Sequence, residues 1–232
     1  MSEWAHPTTG ANYAISLVGA PNISDADLDT CFNLIAETSQ EDYEGSAGRW
    51  RPASKLKEMK SAELRYILVR ATKAPTSSPG HPDESDQGGE IRGFTSLMPT
   101  FEAGEPVVYC YEIHLKPDLQ GLVSPSFSFE SSSETLTSPR QCRTGLGSLL
   151  MSFHTTVAEN LPPITKVMLT CFVANERGLR FYKKLGFEKD ALSPEGMKLR
   201  GRMFVPDYMI MSKRVRDDEC SDDPGDAEEA AS

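Results

Sequence analysis

The sequence has no long apolar run: its longest, Pro106 to Tyr111, is far too short to cross a bilayer, so no membrane association is expected. Met1 to Gly10 has no basic start leading into an apolar stretch, and no secretory signal is expected. Cysteines are few, odd in number and widely spread (Cys31, Cys110, Cys142, Cys171, Cys220). None pairs at metal-ligand spacing, so neither a disulfide framework nor a metal site is expected, and a reducing compartment fits best. No repeat of fixed period is visible. No Gly-Lys-Ser/Thr follows the glycines at 145 and 147, and the wider dinucleotide spacing is missing, so neither phosphate fingerprint applies.

Basic residues are absent from the end of the chain. Residues 217–232 hold eight carboxylates and no Lys or Arg; without them the net charge of -10 falls to about -2. The rest is nearly neutral, and direct nucleic-acid binding is not expected. The stretch 216–232 reads as a solvated, disordered tail, or as a weak electrostatic lure for a basic partner. Two internal segments also lack core-forming residues. Residues 75–89 are mostly Pro, Gly, Ser and acid, and residues 117–139 contain seven serines. Both read as loop insertions in one domain spanning 12–215, preceded by an extension at 1–11.

What remains alternates helix and strand. Ser24 is placed to cap a helix carrying Leu28, Phe32, Leu34 and Ile35, and a more polar helix follows over 53–60. Glu63–Ala71, Glu90–Met98 and Pro106–Leu115 read as three antiparallel strands, the last two joined by a turn at 102–105. Leu146, Leu149, Leu150, Phe153 and Val157 then mark an amphipathic helix, Lys166–Phe172 a buried strand, Glu176–Leu185 a helix between Asn175 and Gly186, and Tyr208–Lys213 a closing strand. The class is mixed α/β, or α+β.

Two places suggest chemistry. At Gly145-Leu146-Gly147 a loop opens a helix through glycines, where backbone N–H groups lack internal partners and the dipole favours anions. A pyrophosphate seat beside Arg143 or Arg140 and a close-packed turn are both compatible with that pattern. The second place is Glu112, on a mostly apolar strand. If buried, it would have a raised pKa suited to a base; otherwise it is a strand-end glutamate. Strand alternation sets Tyr109 and Tyr111 opposite Cys110 and Glu112 unless the strand bulges. His114, two residues past Glu112, could compete with it as a base, but a lone strand histidine is more often a surface residue and is left outside the mechanism.

Residues 143–151 (RTGLGSLLM) resemble the acetyl-CoA loop of the GNAT superfamily, and residues 175–187 (NERGLRFYKKLGF) are similar to the element that follows it there. Across most of the domain, the Tyr-Cys-Tyr-Glu run at 109–112, KVMLTCF at 166–172, Tyr43, Glu44, Ser46 and Trp50, and the Tyr208 strand resemble the NatD-type N-α-acetyltransferases. That resemblance implies a GNAT fold, with a mostly antiparallel sheet splayed at the cofactor site and flanking helices. It implies acetyl-CoA bound by Ile113, Leu115, Arg143, Thr144, Gly145, Leu146, Gly147, Ser148, Asn175 and Tyr182. The acceptor would be the N-terminal amine of histone tails beginning Ser-Gly-Arg-Gly, in nucleus and cytoplasm, without an obligatory partner subunit. Glu112 is the implied base, Tyr111 a proton relay and Tyr182 the acid for the thiolate; Tyr43, Trp50, Tyr109 and Tyr208 are implied acceptor contacts. For Tyr43, Tyr208 and at least one of Tyr109 and Tyr111, aromatic packing is the alternative reading. Transfer would be direct, since no cysteine is paired with a histidine base. Cys142 stands where the family has a basic or amide residue, Gly48 where relatives can carry tryptophan, and Thr100 near a family aspartate. Acetylation of lysine or a small amine, and CoA binding without turnover, remain open alternatives.

Overall fold

The computed structural model describes residues 2–72, 89–120, 145–199 and 202–216. The acidic tail, most of both insertions, and Arg140, Cys142, Arg143 and Thr144 lie outside the described residues.

Strands β1 (Ser2–Ala5), β2 (Asn12–Gly19), β3 (Arg65–Ala71), β4 (Ile91–Glu102), β5 (Glu105–Leu115), β6 (Lys166–Phe172), β7 (Glu188–Lys189) and β10 (Tyr208–Arg214) form one sheet in the order β1-β2-β3-β4-β5-β6-β10-β7. Only β5 and β6 run parallel among these pairs. A separate hairpin joins β8 (Met197–Leu199) to β9 (Arg202–Phe204). Within the extension at 1–11, residues 2–5 form an edge strand: they pair with β2, and Trp4 leans on Tyr13. The short alternating runs of β1 and β2 carry too little apolar signal to be read as strands without their neighbours.

Helices α1 (Asp25–Glu44) and α2 (Pro52–Met59) cover one face. Ser24 caps α1 by accepting from Asp27 N–H at 3.1 Å, with Asp25 and Asp27 in the positive first turn. Leu28, Cys31, Leu34 and Ile35 bury against Tyr66, Leu68 and Phe94 of the sheet. Phe32 turns instead to stack on Trp50, centroids 5.5 Å apart. Helices α3 (Leu146–Asn160) and α4 (Glu176–Lys184) belong to the other face. There Leu146, Leu150 and Met151 bury against Val108, Cys110, Val167 and Leu169, while Leu149, Phe153 and Val157 are only partly covered. The buried stripe therefore runs through His154 and Ala158 rather than Phe153 and Val157. Gly186, at φ 86, makes the left-handed turn that ends α4.

Candidate active site

Strand β5 is irregular where its unusual residues cluster. Leu97 pairs with Cys110 and Ser96 with Glu112, so Tyr111 has no partner of its own on β4. This bulge reverses the side-chain alternation. Val108 and Cys110 join the core under α3, whereas Tyr111 packs with the α1–α2 core and Glu112 reaches α1 and α2. The tyrosines and Glu112 therefore share one face, contrary to simple alternation. The bulge is braced from below. Thr95 Oγ1 donates to Glu112 O at 2.7 Å and lies 3.2 Å from His154 Nε2. His154 is fully buried, and burial holds its pKa down to about 4 despite bonds to the Leu150 and Ser96 backbones. Its imidazole is a neutral strut.

Glu112 is 7% exposed and bonded through both oxygens. Lys55 Nζ of α2 donates to Oε1 at 2.7 Å, and His114 Nε2 sits 2.5 Å from Oε2. Tyr43 of α1 donates weakly to Oε1 at 3.5 Å. The expectation of a raised pKa is corrected here. Burial does push it upward, but the bond and charge of His114, then those of Lys55, outweigh it and bring Glu112 down to about 2. Lys55 responds in the opposite sense: burial works against its charge, yet Glu112, with Tyr43 and Glu58, holds it well above the ordinary lysine range. His114 is also not a surface residue. It is 8% exposed, its ring lies 5.6 Å from Phe94, and its Nδ1 is 2.6 Å from Thr38 Oγ1.

Aromatic rings wall this cluster. Tyr43 touches Trp50 and the edge of Phe172, at 5.2 and 4.9 Å between centroids, and Lys55 lies 5.4 Å from its ring. Burial and then Glu112 push the Tyr43 hydroxyl up to about 12, so it stays protonated. Tyr109 contacts Tyr111 and shares a 2.5 Å bond with Thr170 of β6. Tyr208 is exposed at the start of β10, opposite Phe172. The loop after α1 is tied to that corner by Ala47 N–H, which donates to Asp207 at 2.5 Å.

Across β5 the site is built from backbone. β5 and β6 are paired only over Val107–Cys110 and Lys166–Leu169, and beyond that the ladder stops. Helix α3 begins in this region with Gly145 as an N-cap that provides no side-chain bond, and its first turn has no acid. Leu149 N–H makes the first helical bond, to Gly145 O, leaving the N–H groups of Leu146, Gly147 and Ser148 without intrahelical partners. A Cβ at Gly145 would meet nothing within 4 Å, whereas one at Gly147 would come 3.3 Å from Phe181 and 3.8 Å from Leu115. Donors without intrahelical partners, a positive dipole end and an N-cap with no side chain fit an anionic diphosphate. Asn175 caps α4 through a 2.8 Å bond from Gly178 N–H. Tyr182 packs between Phe181 and Phe187, and burial, with smaller contributions from Cys110, Cys171 and Glu112, keeps its hydroxyl protonated.

Residues 134–187 match the model of the acetyltransferase (GNAT) family. The structure is similar over 88% of this chain and 100% of the other to Arabidopsis thaliana NAA60 in complex with a bisubstrate analogue, at TM-score 0.51 and 12% identity. It is also similar to smu.2055 from Streptococcus mutans UA159, with TM-score 0.50, 16% identity, and 88% and 99% of the two chains covered. The chain has the GNAT fold.

In GNAT terms the parting of β5 from β6, the α3 start and the β5 bulge meet at one place. Gly145, Leu146, Gly147, Ser148 and Leu115 gather at the α3 start, with Ile113 on the same strand and face as Leu115. Glu112, Tyr43, Trp50, Tyr109 and Tyr111 gather on the opposite face, with Tyr208 at its rim. The sequence reading did not single out Lys55, Thr38, Thr95 and His154, and it set His114 aside. Lys55 sits in a polar helix where any lysine reads as surface; only the packing of α2 over β5 marks it. A cleft of about 570 Å³ lined by Glu102, Glu105, Lys166, Asp190 and Arg214 lies elsewhere, seven residues back along β5, roughly 23 Å from Glu112. Its buried Lys166 is paired with Glu105 and Asp190, a structural ion network.

Proposed function

We propose that the protein is an acetyl-CoA-dependent N-α-acetyltransferase that modifies the N-terminal amine of histone tails beginning Ser-Gly-Arg-Gly, in nucleus and cytoplasm. The observation that carries the reading is the geometry around the β5 bulge: an ionised, aromatic-walled carboxylate on one face, and an uncapped helix start on the other. The likeness of residues 109–112, 166–172 and 208–213 to NatD-type enzymes supports the choice of acceptor.

Acetyl-CoA, when bound, supplies the activated thioester. The N–H groups of Leu146, Gly147 and Ser148 would hold its diphosphate, with Arg143 and Thr144 leading into them and Asn175, Ile113 and Leu115 alongside. An α-amine has a reference pKa of about 7.7–8.0, so a useful fraction is neutral near pH 7 without a strong base. Glu112 then acts as a fixed anion facing the amine: it stabilises positive charge developing on the attacking nitrogen and accepts its proton in passing. The protonated Tyr43 and Tyr111 hydroxyls line the way to it. Tyr182, also protonated, donates to the departing sulfur, and Trp50, Tyr109 and Tyr208 orient the acceptor chain.

Mass spectrometry of a Ser-Gly-Arg-Gly-Lys peptide and its N-blocked twin tests the reading. Acetyl on the α-amine of the free peptide and none on the twin is expected. Equal incorporation into both would transfer the activity to lysine.

A further inference from the structure

Burial should neutralise a carboxylate placed where Glu112 is, yet Glu112 is held as an anion. The difference lies in two side chains from different elements. Lys55 reaches from α2 to Oε1 at 2.7 Å and is itself fixed by Glu58 at 2.8 Å. His114 grips Oε2 at 2.5 Å, and behind it Thr38 of α1 anchors the ring at 2.6 Å while also donating to Leu34 O at 2.8 Å. The two bonds to Glu112 are short and enclosed, Glu58 being the more exposed end of the chain, and neither Lys55 nor His114 is placed in the chemistry above.

We propose that Lys55 and His114 are positioning residues that act through Glu112: gripping one oxygen each, they clamp the carboxylate in place and aim it at the acceptor amine. The proposal rests on the role given to Glu112 in the proposed function. The titratable and charged groups around Glu112 are Tyr43 from α1, Lys55 and Glu58 from α2, Tyr66 from β3 and His114 from β5, with Cys110 of β5 and Tyr182 of α4 across the strand and the uncharged Ser96 opposite on β4. Of these Lys55 and His114 make the short bonds to the carboxylate and do most to lower its proton affinity, Tyr43 adding a weak bond at 3.5 Å. Removing either leaves burial less opposed. Glu112 then takes up a proton as pH falls, and the stabilisation of the amine's developing charge is lost in the same direction.

The test is the pH profile of kcat and KM for the full chain with the Ser-Gly-Arg-Gly-Lys peptide, comparing wild type with Lys55→Met, His114→Leu, Lys55→Arg and Glu112→Gln. Melting temperature and acetyl-CoA affinity serve as controls for folding. Lys55→Met and His114→Leu should lose kcat about tenfold more near pH 6 than near pH 8.5, with KM for acetyl-CoA little changed. Lys55→Arg, which keeps the charge, should restore the wild-type pH dependence. Losses of equal size at every pH, unrescued by arginine, would reduce both residues to scaffolding and overturn the proposal, with Lys55→Met deciding should His114→Leu not fold. The Glu112→Gln variant separates the two levels. Wild-type kcat there removes the role of Glu112 and the clamp with it, whereas a large loss there beside pH-independent losses in the other two overturns the clamp alone.

Discussion

On the α3 face of β5 the polar groups at the site are backbone N–H groups without intrahelical partners; on the α1–α2 face they are mostly side chains bonded to one another. The first region leaves room at Gly145, while Gly147 lies close against Phe181. The second is largely bonded, with Lys55 and His114 each holding one oxygen of Glu112, although the buried Ser96 hydroxyl opposite makes no bond among the described residues. An open backbone seat suits a ligand that brings its own negative charge. A crowded carboxylate suits holding one charge of the protein's own against burial. One bulge in one strand serves both, because it turns Glu112 away from Cys110 while the strand edge beyond Cys110 leaves β6.

The largest expected effect concerns the strut beneath both regions. His154 has a folded pKa of about 4, below the unfolded value, so its contribution is fully present above pH about 6.5 and is lost as pH falls toward 4, by about 3 kcal/mol. Thermal melts across that window should show the decline in wild type and a flatter curve in His154→Gln. Parallel curves for the two would remove His154 as its cause. Glu112, whose folded pKa is lowered, adds a separate decline in the same sense, below about pH 4.5.

Gly145→Asp breaks the comparison at its open side. An N-cap aspartate accepts from first-turn N–H groups that lack intrahelical partners and, relative to glycine, should raise helix stability by only about 0.3 kcal/mol. The same carboxylate occupies the anion seat, and acetyl-CoA affinity by calorimetry should fall by about tenfold or more. Stability and affinity moving together would argue against an anion seat there. Asn175→Ala should be the mildest, a loss of about 1 kcal/mol of stability through the α4 cap, read from urea melts. Little change in urea midpoint would show that α4 is held by packing alone.

The same contrast explains what could be read from the residues alone. β6 was legible to its ends because its apolar residues, Val167–Leu169 with Cys171 and Phe172, are dense enough to bury only as a strand, and the α1 and α4 caps because Ser24 and Asn175 bond to groups three residues away. The glycine turn was legible because a backbone-built seat is written in consecutive residues. The acceptor side was only half legible. Glu112 and the tyrosines stood out, but their common face depends on a bulge that no local pattern announces. The charge on Glu112 depends on Lys55, fifty-seven residues away, and on a histidine whose burial α1 decides. β1 and β2 were missed because they earn their strand state only by pairing beside β3.

The most direct measurement is kcat and acetyl-CoA affinity in the same preparation of Glu112→Gln. If the two faces of β5 divide the work as described, kcat for the free-amine peptide falls by about a hundredfold while acetyl-CoA binding stays within about twofold of wild type. An unchanged kcat, or a kcat loss matched by an equal loss of acetyl-CoA binding, contradicts it.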